Sequence, residues 1–383
     1  MIITQARAID TDDTGDYGWV NLRRFLNVSF VEKEIIRLHG LEPRWHQDAR
    51  KQATQLRYCL TQAREYSAAA SAVTLATKPT LLYYSLMSLA LAEILFKQTG
   101  LSSLDKARAE HRHHGLLFEH HPSSIVHGMP LIDAAAGVRA KPMIGSKGRT
   151  GTFNLWHNSC REMPVIGKRT SHLAAGINFG YQMLLGTSDD PLTPIPEEGL
   201  SLFDCLRALP GMVEHLSMQN IAPLILRGRV ALDVYEQGNP KRYVTTVMLH
   251  PSPLVGEFLD NVMFSPDAIN HVEHQELPNG GWLRITADSV QGGPKFLMPP
   301  GSAWTVDEVR LWPKTMPLNE FGYLYVALFI AGNYARYYPD RWLMDVETCS
   351  PLALAIEELI AVAEKTMSWL ALSELSRIYF VRH

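Results

Sequence analysis

The stretch Lys78–Leu116, KPTLLYYSLMSLALAEILFKQTGLSSLDKARAEHRHHGL, decides how this chain folds. Lys78-Pro79 suits a first helical turn, where proline's missing amide would have no partner inside the helix. The apolar run behind it carries Tyr83, Tyr84 and a single acid, Glu93, and Gly100 closes it. From Leu81 to Phe96 the run is shorter than the ~20 residues a membrane span requires, and it contains Ser85 and Glu93. It therefore reads as a buried core helix. A histidine-rich half follows, in which four residues separate Arg108 from His113 and five separate it from His114.

Outward from this segment the N-terminal pattern is helical. Leu22, Phe25, Leu26, Phe30, Ile35 and Leu38 predict a helix over Trp19–Leu38, with Gly40 and Pro43 as its stop. Ala49, Ala53, Leu56, Leu60 and Ala63 predict a second over Trp45–Thr74. Residues 1–15 are polar and read as loose. Ala222–Tyr235, Tyr243–His250, Asn270–Leu277 and Trp282–Val290 alternate like strands, and Pro278-Asn279-Gly280-Gly281 is a hairpin turn signal. Helix returns over Asn319–Tyr337 and Pro351–Arg377. The resulting expectation is an α+β chain, mainly α, whose terminal helices pack together around an inserted small antiparallel β region. Its parts are 1–120 (helical), 121–200 (basic and Gly/Pro-rich), 201–318 (mixed α/β) and 319–383 (C-terminal helices).

The chain has 383 residues, enough for more than one small core. Its net charge of −3 argues against a dedicated non-specific DNA binder, which needs a net basic face. Cys59, Cys160, Cys205 and Cys349 are scattered without a CxxC, as suits reduced thiols in a cytoplasm. The N-terminus shows no secretory pattern, and no membrane association is expected.

Lys78-Pro79, the segment Leu82–Met87 and His114-Gly115-Leu116 together resemble the YaaC-like family of bacterial proteins. Lys147–Phe153 and Tyr337-Tyr338-Pro339-Asp340-Arg341-Trp342 extend the resemblance. The family's helical part is similar to HEPN domains, bundles found in prokaryotic ribonucleases, toxins and antiviral defence proteins. The resemblance implies a HEPN-like bundle, and HEPN ribonucleases use an Arg-x4–6-His motif, usually composed across a dimer.

Arg108 with His113 or His114 fits that spacing. The histidine would move a proton at the 2′-hydroxyl or leaving oxygen, and the arginine would hold the scissile phosphate. Ala109 departs from the family's usual polar residue at that place. Arg377 and His383 share the spacing at the chain's end. The histidines at 111, 113, 114, 120, 121 and 127 lack a metal-ligand pattern such as HExxH, so neither metal nor cofactor is expected.

Gly145–Thr152 is a glycine-rich basic loop. Between Arg139 and Arg169 seven basic residues face one acid, Glu162. Lys141, Lys147, Arg149, Lys168 and Arg169 are accordingly the candidate phosphate or nucleic-acid contacts. Tyr83, Tyr84, Tyr334, Tyr337, Tyr338 and Trp342 offer faces for stacking bases. No Walker A loop, Rossmann fingerprint, nucleophile elbow or kinase signature is present. The expectation is a cytoplasmic, homodimeric, YaaC-like and non-catalytic component that binds RNA, a nucleotide or a protein partner. Its setting would be bacterial defence or nucleotide metabolism. The alternative is a HEPN-type metal-independent endoribonuclease or toxin effector built on Arg108 and His113 or His114.

Overall fold

The structure, a computed structural model, describes residues 3, 5–98, 103–105, 111–120, 128–146, 148–159, 165–185, 194–236, 241–261, 263–264, 269–275, 282–289, 296–297, 301–305, 308–313 and 316–383. The class is α+β and mainly helical. In chain order the helices are α1 Thr14–Leu22, α2 Val28–His39, α3 His46–Ser71, α4 Lys78–Lys97, α5 Leu131–Ala136 and α6 Thr152–Ser159. They continue with α7 Leu202–Ala208, α8 Val213–Met218, α9 Val255–Asn261, α10 Glu320–Tyr337, α11 Pro339–Glu347 and α12 Pro351–Ser376.

α4 is long and apolar enough to cross a membrane by composition, yet most of it is buried inside the protein. It packs against α3, α10 and α12. α10 is its closest equivalent, with Leu324, Val326, Leu328 and Ile330 all fully buried. Thr80 Oγ1 donates to the Gly332 carbonyl at 3.1 Å where these two helices meet. The terminal helices do pack together. A Cβ on Gly15 would sit 2.5 Å from the Glu364 carbonyl oxygen, and one on Gly18 would sit 2.5 Å from Ser368 Oγ. Only glycine lets α1 lie that close to α12, and Ser368 Oγ uses the approach to donate to the Gly15 carbonyl at 2.8 Å. Inside the bundle Lys97 forms a buried ion pair with Glu374.

The single helix expected over Trp19–Leu38 is broken. A 3-10 turn at Arg23–Leu26 intervenes, and Asn27 leaves the helical region to cap α2 by accepting from the Phe30 amide. The local apolar spacing masks that capping signal.

The β part is larger than the pattern suggests. Its ten-stranded sheet has β1 Gln5–Ile9, β6 Val165–Leu173, β7 Gly176–Leu185, β9 Leu226–Tyr235, β10 Arg242–Leu249, β12 Ile269–Gln275, β13 Trp282–Ser289, β15 Gly301–Thr305, β16 Glu308–Leu311 and β17 Ile378–Arg382. The main path runs β1-β17-β15-β16-β9-β10-β13-β12. The first residues of β9 pair with β16 and its last with β6, which carries β7 on its other edge. The four strands expected from alternation appear as β9, β10, β12 and β13. The turn residues 278–281 lie outside the described residues, but the strands they join are antiparallel.

Residues near both termini are ordered rather than loose. β1 pairs in parallel with β17, and the His383 amide donates to the Ile9 carbonyl at 2.9 Å. One sheet face is apolar: Val230, Leu232, Val247, Leu249 and Ile285 are buried with Phe258 of α9. Smaller pairings complete the β structure: β2 Leu116–His120 with β3 Val138–Pro142 and β8 Leu200–Ser201, β4 Ile144–Gly145 with β5 Gly148–Arg149, and β11 Met263–Phe264 with β14 Phe296–Leu297.

Candidate functional site: a histidine cleft

The histidine-rich loop is anchored by a pair of glycines. Gly115 has φ +85° and Gly151 has φ +95°. A Cβ on Gly151 would lie 2.4 Å from Gly115 Cα, so the two backbones touch directly. This contact lays the loop across the start of α6. The Thr152 and Phe153 amides donate to the His113 and His114 carbonyls, each at 2.9 Å. Those N-terminal helix donors, which in other proteins hold anions, are engaged within the chain. The Thr150 amide is engaged too, donating to the Met143 carbonyl at 3.1 Å.

The loop closes a cleft of about 140 Å3, in which Met87 and Leu91 of α4 face His111, Arg112, His113 and His114. His111 Nδ1 lies 3.3 Å from Thr152 Oγ1. His114 leans on an aromatic nest, with ring centroids 5.6 Å from Tyr83, 6.4 Å from Tyr84 and 6.2 Å from Phe329. Burial pushes the Tyr83 phenol well above its ordinary range, with Tyr325 adding to the effect. It therefore keeps its proton and can donate to His114 Nδ1, 2.9 Å away. The imidazole of His114 is pushed below its ordinary value, first by burial and then by Arg336 and His113. Arg336 is held there by donating to the Tyr84 hydroxyl at 2.9 Å. By residue, Arg112, His113 and His114 are all exposed along the rim, so the His114 ring is only partly withdrawn from water.

Beneath the nest, Glu93 is fully buried and accepts from Trp156 Nε1 at 2.9 Å. The lone acid of the apolar helix thus fastens α6 to α4.

The expected site residues fall into separate places. His113 and His114 share the cleft, while Arg108 and Lys147 lie outside the described residues. Lys141 on β3 pairs with Glu119 on β2 at 2.7 Å. Arg149 donates through Nη2 to the Ile195 carbonyl at 2.6 Å, and its buried Nη1 has no acceptor among the described residues. Lys168 and Arg169 are neighbours on β6 of the large sheet and point to opposite faces. Lys168 sits over the Phe179 ring, and Arg169 pairs with Glu236 at 3.8 Å.

Of the six expected stacking aromatics, Tyr83, Tyr334 and Trp342 are buried, whereas Tyr337 is exposed. Tyr334 donates to Asp345 Oδ2 at 2.8 Å, and Trp342 Nε1 donates to the Ala76 carbonyl at 3.0 Å. Among the described residues no three His, Cys, Asp or Glu side chains gather into a metal-holding group.

Sequence reasoning misses one polar constellation, His172 on β6 with Asp233 and Tyr235 on β9. His172 Nε2 lies 3.1 Å from Asp233 Oδ1, and its ring stacks on Tyr235 at 4.4 Å. The alternation in β9 is visible in the sequence, but its partner strand is not.

The bundle and its flanking sheet define a mainly helical α+β protein. Residues 23–121, from the turn before α2 through β2, match the model of the YaaC-like protein family. No curated protein and no solved structure gives a significant match.

Proposed function

We propose that the protein is a non-catalytic component that binds RNA or a nucleotide, with the histidine cleft as a recognition pocket. The Tyr83–His114 pair carries this reading. An acid catalyst must hold a proton near the working pH, whereas partial burial and the Arg336 guanidinium favour neutral His114, with Nδ1 facing a phenol donor. Such an imidazole is suited to hydrogen-bonding a base edge. Arg112 and His113 stand beside it for an anionic group. About 140 Å3 is the volume of roughly five waters, enough for a phosphate or the edge of one base. The family resemblance suggests bacterial defence or nucleotide metabolism as the setting.

The second reading is a HEPN-type metal-independent ribonuclease. The histidine pair favours it, because His113 and His114 are both exposed along the cleft rim.

Thermal unfolding in the presence of nucleotides and of short single-stranded RNA tests the proposal. A ligand at a hundred times its Kd stabilises by about 2.7 kcal/mol. The expected result is a stabilising ligand whose effect is lost on Arg112→Ala with His113→Ala, with the ligand recovered unchanged. Full stabilisation of that double variant removes the cleft from the proposal.

A further inference from the structure

The face of the large sheet away from α9 carries an unusual surface. Register puts Lys168 and His172 of β6, Phe179 of β7, Asp233 and Tyr235 of β9 and Arg242 of β10 on that one side. Phe179 is 64% exposed and Tyr235 36% exposed, so two large rings stand in water on a folded sheet. Each ring has a cation over it. Lys168 Nζ is 5.4 Å from the Phe179 centroid, and the Arg242 guanidinium is 5.6 Å from that of Tyr235. Arg229 and Arg284 are exposed on the same side, Arg229 by alternation along β9 and Arg284 by its pairing with Met248. The same register puts Asp288, opposite Val244, and Glu273, opposite Arg284, on this side, so among the described residues four cations alternate with three carboxylates, of which Asp233 is held by His172 at 3.1 Å.

We infer that this face binds single-stranded RNA. The inference deepens the RNA reading above and names the surface that would hold the chain, as distinct from the histidine cleft. Interleaved rings and cations match a polymer of flat bases and phosphates. A docking protein would call for a continuous apolar patch, whereas here exposed Phe179, Ile177 and Tyr235 are interrupted by Lys168, His172 and Arg242. The rings require unpaired bases, because bases inside a duplex cannot reach a flat sheet. Phe179 and Tyr235 sit on strands separated by β6, about 10 Å apart at two strand spacings, so the RNA would cross the strands. Asp233 favours RNA over DNA: a carboxylate repels phosphate but accepts a hydrogen bond from a ribose 2′-hydroxyl. His172 orients that carboxylate, and Thr170, directly opposite Phe179, adds a second acceptor on the same side.

Fluorescence anisotropy with a short labelled oligouridylate tests this on the full chain. Phe179→Ala removes only an exposed ring, and Lys168→Gln with Arg242→Gln removes two exposed cations. Circular dichroism checks that each variant keeps its fold. Phe179→Ala is expected to weaken binding about tenfold, as for loss of one stacked base. The double variant is expected to flatten the dependence of log K on log salt by ~0.7 for each phosphate no longer neutralised. Oligodeoxyuridylate is expected to bind more weakly than the RNA, and equal affinity would overturn the choice of RNA. If the wild type binds RNA and the sheet variants bind it equally well, the sheet inference fails while the RNA reading stands. If the wild type binds no RNA, both fail.

Discussion

Replacing Gly151 by alanine tests how the histidine cleft is built. The position has φ +95°, and a left-handed backbone costs an ordinary residue about 1–2 kcal/mol. The new Cβ would also lie 2.4 Å from Gly115 Cα, 2.5 Å from Gly115 N and 3.0 Å from the His113 carbonyl oxygen. These are backbone atoms, so relief requires the two loops to separate. Separation stretches the Thr152–His113 and Phe153–His114 hydrogen bonds, each worth about 1 kcal/mol. The expected cost of Gly151→Ala is therefore about 3–4 kcal/mol. Gly148→Ala is the matched control: its φ is +105°, but nothing lies within 4 Å of the added Cβ. It should show the backbone cost alone. Urea unfolding of both variants, followed by tryptophan fluorescence, gives the comparison. Equal losses for the two would refute the glycine contact as the anchor of the cleft.

Three further outcomes rest on buried polar groups. Trp156→Phe leaves the buried Glu93 without its indole donor and should cost about 1–3 kcal/mol in the same urea assay. Lys97→Met removes the cation paired with buried Glu374 and should cost about 3–5 kcal/mol, whereas adding Glu374→Leu should recover most of the loss; a double-mutant cycle measures the difference. His39, His114 and His250 all have imidazoles held below the ordinary value of 6.5, with burial as the largest cause. As pH falls, the unfolded chain takes up these protons before the folded one. Stability should therefore be full above about pH 6.5 and decline as pH drops through it. A urea midpoint that does not move between about pH 7.5 and about pH 5.5 contradicts this.

The long helices are legible in the sequence because their signals are local. Pro79, Asn319 and Pro351 mark starts, and the apolar content of α4 and α10 marks elements buried on every side. Strands β9, β10, β12 and β13 are legible from alternation and one turn. Pairing between distant segments is hidden. β1 and β17 come from opposite ends of the chain, and each looks like a tail until the other lies beside it. β6 and β7 are obscured because their open face carries Lys168, His172 and Phe179, which blurs the apolar-in, polar-out pattern. In the cleft, the Arg-x4–6-His spacing points to His113 and His114. What fixes their surroundings is Tyr83 on α4 and Gly151 before α6, which only tertiary packing brings to them. The basic bias over residues 139–169 likewise divides between β3, the loop before α6 and β6, since a stretch of sequence does not define a surface.

The most direct test of the central claim is to incubate the purified protein with end-labelled single-stranded RNA, measure binding, and then resolve the RNA on a denaturing gel. Recognition without cleavage predicts saturable binding and full-length RNA after prolonged incubation, both with the wild type and with His113→Ala. RNA cut by the wild type and left intact by His113→Ala would contradict it and make the histidine cleft a ribonuclease centre.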